Sequence, residues 1–335
     1  MFKFIKIISL SIAVMCINGF ASHKSYAEDP CNSEQECLSL ARLGNIEAQA
    51  MLGLMYEYGD RAKQDHKKAM IWYKKAADKN NALAQNNLGT YYDLGKYIEQ
   101  DYKKAMMLYH KSAYQQLPEA QYNLGYMYDL GNGTEVNYKE AMKWYLKAAA
   151  QNYAPAQANI GYMYDEALGV EQDYALALEW YHKSARQNYK EAIFNIGVMY
   201  DFGKGIEQNY STAMEWYMRA ADLGDINAAY NIGYMHHAGN GVHLNYKEAI
   251  KWYSIAAEKG DSDAQYNIAT MYYNGEGLKK NDIKAYAWMS LAASQDYDGA
   301  ANKVNILTND LNSNELVKAR KLYKMLHKRY VEPFK

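Results

Sequence analysis

Proline is nearly missing from this chain, at 4 in 335 residues. That excludes a polyproline linker and leaves room for helices that proline would break. Cysteine is scarcer still, at 3, which excludes a disulfide-dense scaffold and a multi-cysteine zinc module. Neither sign of charge is in excess. Lysine and arginine number 37 against 38 aspartates and glutamates, a formal net charge of -1. A nucleic-acid binder would show a basic surplus. No Ser-x-x-Lys occurs anywhere, so serine β-lactamase or penicillin-binding chemistry has no motif. What is abundant is tyrosine, 35 against 6 Phe and 6 Trp. Its large ring with a hydroxyl suits half-buried grooves and interfaces.

The N-terminus reads as an export signal. Lys3 and Lys6 lead an apolar run from Ile7 to Phe20, short for a membrane span. Ser25-Tyr26-Ala27 then places small residues where a cleavage site after Ala27 needs them. Residues 1–27 are therefore expected to be a signal peptide. The product is expected to be periplasmic or secreted, with no membrane span after cleavage; a retained anchor is the alternative. Bulky Met15 directly before Cys16 argues against lipid attachment there. The remaining cysteines, Cys31 and Cys37, are expected to form a disulfide in an oxidising compartment. A redox pair, the alternative, wants the tighter Cys-x-x-Cys spacing.

Self-similarity is the strongest signal. Ala48, Ala84, Ala120, Ala156, Ala192, Ala228, Ala264 and Ala300 are each 36 residues apart. Gly53, Gly89, Gly125, Gly161, Gly197 and Gly233 keep the same register, with Ala269 in the seventh place. A fixed period of this length marks a solenoid whose core grows one unit at a time. Two helices fit each unit. In 120–128, Ala120, Leu124, Met127 and Tyr128 share one helical face. In 137–149, Ala141, Trp144, Tyr145 and Ala148 share another, with Lys139, Lys143 and Lys147 opposite, toward water. Gly-x-Gly turns such as Gly131-Asn132-Gly133 join the helices. They lack the Lys-Ser/Thr of a phosphate loop and recur as hinges. Asp or Asn opens most second helices, as an N-cap should. The glycine in the middle of each first helix costs about 1 kcal/mol there. It is expected where a neighbouring helix backbone packs close.

The expected layout is a half-repeat cap over 28–47, seven repeats over 48–299 and capping helices over 300–335. Asn312 and Glu315 predict a capping box opening a last, basic helix over about 313–330.

The pattern Ala-x-x-x-Leu-Gly-x-Met-Tyr, a Gly-x-Gly turn, then Asp-Tyr-x-x-Ala-x-x-Trp-Tyr-x-x-Ala-Ala resembles the Sel1-like repeat, a relative of the tetratricopeptide repeat. The resemblance covers about residues 34–307. It implies an all-α, right-handed superhelical solenoid of antiparallel helix pairs. It also implies a protein-binding adaptor, with envelope or host-contact roles among exported bacterial members. One cysteine-rich exported subgroup is described as binding or hydrolysing β-lactams. That makes an envelope enzyme or β-lactam-binding protein the alternative, but the repeats here lack that subgroup's cysteine pairs.

If the solenoid curves as its relatives do, first helices line a concave groove. Tyr122, Phe194, Tyr230 and Tyr266 form one row; Tyr126, Tyr162 and Tyr234 form a second. Asp93, Asp129, Asp165 and Asp201 form an acidic stripe. Such a groove would take a protein or peptide segment with apolar anchors and some Lys or Arg. The competing reading packs the tyrosines between repeats and uses the aspartates in turns. The row Asn87, Asn123, Asn159, Asn195, Asn231 and Asn267 is expected to be a structural ladder bonding neighbouring backbone, with a peptide clamp as its alternative. No catalytic residue, cofactor or metal is expected, because a perfect repeat spreads like residues along a line. His236, His237 and His243 are expected to be turn histidines.

Overall fold

The computed structural model describes residues 30–334, so the proposed signal and its cleavage site lie outside the described residues. Among these, seventeen α-helices and one terminal 3-10 turn are present, and no strand. The chain forms two compact units, one ending at Trp180 and the other beginning at Tyr181.

In the first unit α1 (Glu34–Arg42) precedes three complete helix pairs. These are α2 (Ile46–Tyr58) with α3 (His66–Ala77), α4 (Ala82–Leu94) with α5 (Tyr102–Tyr114), and α6 (Pro118–Leu130) with α7 (Tyr138–Ala150). Then come α8 (Ala154–Asp165) and α9 (Tyr174–Ala185), which runs across the boundary. The second unit holds α10 (Lys190–Phe202) with α11 (Tyr210–Asp222), and α12 (Ile226–Ala238) with α13 (Tyr246–Ala257). Next are α14 (Ser262–Asn274) with α15 (Asp282–Ala293), then α16 (Ala300–Asp310) and α17 (Ser313–Tyr330). Within each unit the two helices of a complete pair pack on one another, and the second helix packs on the next first helix. The fold is thus a solenoid of helix pairs.

Local chemistry places the helix ends. Asp65, Asp101, Asn137, Asn209 and Asn245 cap second helices by accepting from backbone N–H groups in the first turn. First helices stop where Gly59, Gly95, Gly131, Gly203, Gly239 and Gly275 turn left-handed. The Asn312–Glu315 capping box opens α17, with both of its bonds present. Cys31 and Cys37 are joined in a buried disulfide with Cα atoms 5.2 Å apart, beside the start of α1.

The core of each pair is a tyrosine. Tyr73, Tyr109, Tyr145, Tyr217 and Tyr253 are all 0% exposed. Each ring lies over the mid-helix glycine of its partner. A Cβ on Gly125 would stand 2.7 Å from Tyr145 Cδ1 and 3.2 Å from the Ala141 carbonyl oxygen. The Gly197–Tyr217 and Gly233–Tyr253 pairs repeat this. The expectation of a close helix backbone is therefore corrected: the ring is nearest and the backbone second. The exception supports the cause. In the seventh repeat the ring position is Met289, and there Ala269 replaces glycine, both buried in one cluster. A flexible thioether can yield where a ring cannot.

Candidate functional site: the first-helix face

The buried tyrosines also decide what the acidic row does. In the first unit, Tyr73 donates to Glu57, Tyr109 to Asp93 at 3.4 Å and Tyr145 to Asp129 at 3.2 Å. In the second, Tyr217 donates to Asp201 at 3.0 Å. The sixth repeat has His237 at this position; its Nδ1 is 3.3 Å from the Tyr253 hydroxyl and its Nε2 3.2 Å from Glu276. Each of these four carboxylates thus accepts from the ring packed across its own helix pair. Burial raises Glu57 to about 7 and Asp93 to about 6, opposed by the tyrosine hydrogen bonds. Burial raises Asp129 and Asp201 as well. Asp165 is buried like Asp93.

The asparagine row completes the motif from the following repeat. Asn87 Nδ2 donates to the Tyr73 hydroxyl at 3.1 Å. Asn159 and Asn231 are hydrogen-bonded to Tyr145 and Tyr217, and Asn267 is shared between Tyr253 and the Tyr230 hydroxyl, 3.4 Å away. At these four places the row bonds core tyrosine hydroxyls where neighbouring backbone was expected, while Asn123 donates to Asn86 Oδ1 at 3.0 Å. An asparagine amide reaches a hydroxyl buried between two repeats, and that hydroxyl would otherwise lack a second partner.

Of the aromatic rows, Tyr122 and Tyr126 are buried, at 2% and 7% exposure. Tyr122 packs on Tyr145 and Tyr153, with centroids 5.6 and 5.5 Å away. Tyr162, Phe194, Tyr230, Tyr234 and Tyr266 are half-buried. Phe194 and Tyr230 lean on core rings Tyr217 and Tyr253, and Tyr266 stacks on Tyr297 at 4.7 Å. Burial, with neighbouring carboxylates second, pushes Tyr126 and Tyr162 up to about 12, so both stay protonated. The first unit brings Tyr122, Tyr126, Tyr162, Asp93, Asp129 and Asp165 onto its first helices. The second brings Phe194, Tyr230, Tyr234, Tyr266 and Asp201 onto its own. In the first unit no first helix, α2, α4, α6 or α8, contains a Lys or Arg.

Two features escaped the sequence reading. Gln49, Gln85, Gln121 and Gln265 are buried and donate to the C-terminal carbonyls of Ala41, Ala77, Ala113 and Ala257, eight residues back. Three of their side-chain oxygens accept from a second row: Gln115 to Gln85 at 2.8 Å, Gln151 to Gln121 at 2.9 Å and Gln295 to Gln265 at 2.8 Å. The 36-residue recurrence of glutamine was the available signal. The other is a local departure from the repeat, Met107 and Tyr114, exposed on the opposite side of α5.

The Sel1 repeat profile matches seven times, over residues 46–81, 82–117, 118–153, 154–189, 190–225, 226–261 and 262–297. A solved Sel1 repeat protein from Oxalobacter formigenes is similar at 29% identity, with a TM-score of 0.65 over 78% of this chain and 99% of that one. A protective antigen present in uropathogenic Escherichia coli strains, displaying an SLR fold, is 27% identical. Its TM-score is 0.53, over 89% of this chain and 72% of that one. No curated protein matches the chain. Seven consecutive repeat matches and the helix-pair solenoid that carries them show that the chain belongs to the Sel1 repeat family, whose members are commonly protein-interaction scaffolds.

Proposed function

We propose that the protein is an exported scaffold that holds a cationic peptide or protein segment on its first-helix face. The carrying observation is the charge of that face. Tyr162 and the half-buried Glu57 and Asp129 stand on first helices of the first unit that hold no basic residue, so a basic segment meets attraction without competition from lysines of those helices. Half-buried rings supply apolar anchoring with little loss of side-chain freedom. Export is supported by the Cys31–Cys37 disulfide and by the signal-like N-terminus. No helix among the described residues is long and apolar enough to cross a membrane.

Partners co-purified from the native cell and mapped on overlapping peptides test this. The retained peptides are expected to be basic with apolar anchors, and Tyr162→Ala with Asp129→Asn is expected to release them while helicity is kept. Retention of acidic peptides, or indifference to both substitutions, would reject the reading.

A further inference from the structure

The outer side of the first unit carries something that the repeat does not require. α5 presents Met107 at 49% exposure and Tyr114 at 72%. With Met106, His110, Lys103, Lys111 and Gly133 they line an open pocket of about 500 Å³. Its aromatic wall is built. His110 and Tyr114 each meet Trp144 edge-on at 5.9 and 5.8 Å, and Lys147 covers the Trp144 ring at 3.6 Å.

The internal repeat provides a control for what packing demands here. At the positions equivalent to Met107 stand Ile71, Lys143, Glu179, Glu215, Lys251 and Ala287. At those equivalent to Tyr114 stand Asp78, Ala150, Arg186, Asp222, Glu258 and Ser294. Only the second repeat makes both apolar, and it leaves both exposed, whereas Ala287 is buried. Large exposed apolar groups grouped around a concavity mark a binding site rather than a core.

Charge states what kind of partner fits. The lining residues include two lysines and no acid. The helices α3, α5 and α7 together hold ten lysines and one glutamate, and that glutamate, Glu140, is already paired with Lys143. We propose that this outer pocket docks an acidic protein segment. One apolar side chain of the segment enters between Met107 and Tyr114, and its carboxylates face Lys103 and Lys111. A concave, aromatic-walled pocket selects a protruding side chain, whereas a bilayer surface is met by a row of apolar groups along a ridge. This site is independent of the first-helix face and would stand if that face bound nothing.

The test selects peptides from a random display library on the purified protein, then titrates synthetic, fluorophore-labelled copies of the enriched sequences by anisotropy. Net-negative peptides with a Leu, Met or aromatic anchor are expected. Lys103→Glu with Lys111→Glu, and separately Met107→Asp, are expected to weaken binding by about tenfold or more. Lys251→Glu, at an outer position far along the repeat, should leave it unchanged, and added salt should weaken it. All altered side chains are exposed, and thermal melts check folding; if Met107→Asp unfolds, the lysine pair alone decides. The proposal is overturned if enrichment yields no acidic, anchored peptides or if both variants bind as before. It is also overturned if phosphatidylglycerol vesicles bind with the same dependence on Lys103, Lys111 and Met107, which would assign the face to a membrane.

Discussion

The second helices of the first three repeats and those of the last three share a core position and differ at the surface. Helices α3, α5 and α7 carry ten lysines against one glutamate; α11, α13 and α15 carry four basic residues against four acidic ones. Beneath both surfaces the same position is filled, by Tyr73, Tyr109 and Tyr145 in one region and by Tyr217, Tyr253 and Met289 in the other. A repeat protein thus contains its own controls. What recurs in both regions is what stacking demands, and what differs is free to serve a partner.

The largest effect tests the shared skeleton. Gly125→Ala and Gly233→Ala each place a methyl 2.7 Å from a buried ring in opposite regions of the chain. Both are expected to lower stability by about 1–3 kcal/mol, measured by chemical denaturation. The cost of Gly125→Ala should shrink in a Tyr145→Met background, which copies the Ala269–Met289 pair. A cycle with no coupling would show that the ring is not what excludes the methyl.

The glutamine ladder comes next, because here the regions part. At the fifth-repeat place in the buried glutamine row stands Ile193, and Leu223 stands where its glutamine partner would be. The donor is supplied elsewhere: Arg219 reaches the Ala185 carbonyl at 2.7 Å and Asn188 Oδ1 at 2.9 Å. Gln85 donates to Ala77 and Asn80 in the same way one region earlier. Gln121→Leu should cost about 1 kcal/mol by removing one of the two hydrogen bonds to the Ala113 carbonyl, which keeps the Gln116 N–H, and one of the two made by the Gln151 amide, which keeps the Gln116 carbonyl. Adding Gln151→Leu, in imitation of Ile193 and Leu223, should recover part of that loss in the same denaturation assay.

These cases show how much was legible beforehand. The period, the helix pair, the caps at Asp101 and Asn137 and the capping box at Asn312 follow from residue types at short range, where local chemistry dictates geometry. The role of the acidic row does not. Glu57 and Tyr73 are sixteen residues apart and on different helices, so their bond depends on the crossing of the pair and not on either helix alone. The same holds for Gln121 and Gln151, thirty residues apart. The rows proposed for a groove lie on first helices, but part of each is engaged in the structure. Tyr122 and Tyr126 are buried, and the carboxylates accept from core tyrosines.

That engagement has a pH signature concentrated in the first region, where the row is Glu57, Asp93, Asp129 and Asp165; in the second it gives way to His237 and Tyr273 after Asp201. Burial holds Glu57 at about 7 in the folded chain, above its ordinary carboxylate value. The folded state therefore binds this proton more tightly than the unfolded one. Its stabilising contribution is complete below about pH 4.5 and is lost as pH rises through about 7. His66, His110 and His182 are shifted down by burial first and by nearby cations second, so they act in the opposite sense below about 6.5. Glu57→Gln isolates the carboxylate. The melting temperature of the variant relative to the parent should be more favourable at pH 8 than at pH 5. An unchanged difference across that range would mean that Glu57 is hydrated, not buried against Tyr73.

The smallest effect concerns one turn at which the fourth repeat departs from all the others. First helices end on a left-handed glycine in six repeats, but here Ala167 takes that conformation, with φ at 57°, and α8 stops one residue early at Asp165. An alanine in that region pays about 1–2 kcal/mol for its Cβ, while glycine would return about 0.4–1 kcal/mol of that through a freer unfolded chain. The balance predicts that Ala167→Gly stabilises by about 0.5–1 kcal/mol. The matching change in the other direction, Gly131→Ala, is costly for a second reason, since its Cβ would meet the Val136 amide nitrogen at 3.0 Å. Denaturation of the two variants side by side separates conformational strain from crowding. A gain at 167 with a larger loss at 131 is expected, whereas a loss at both would mean that Ala167 makes packing contacts worth more than its strain.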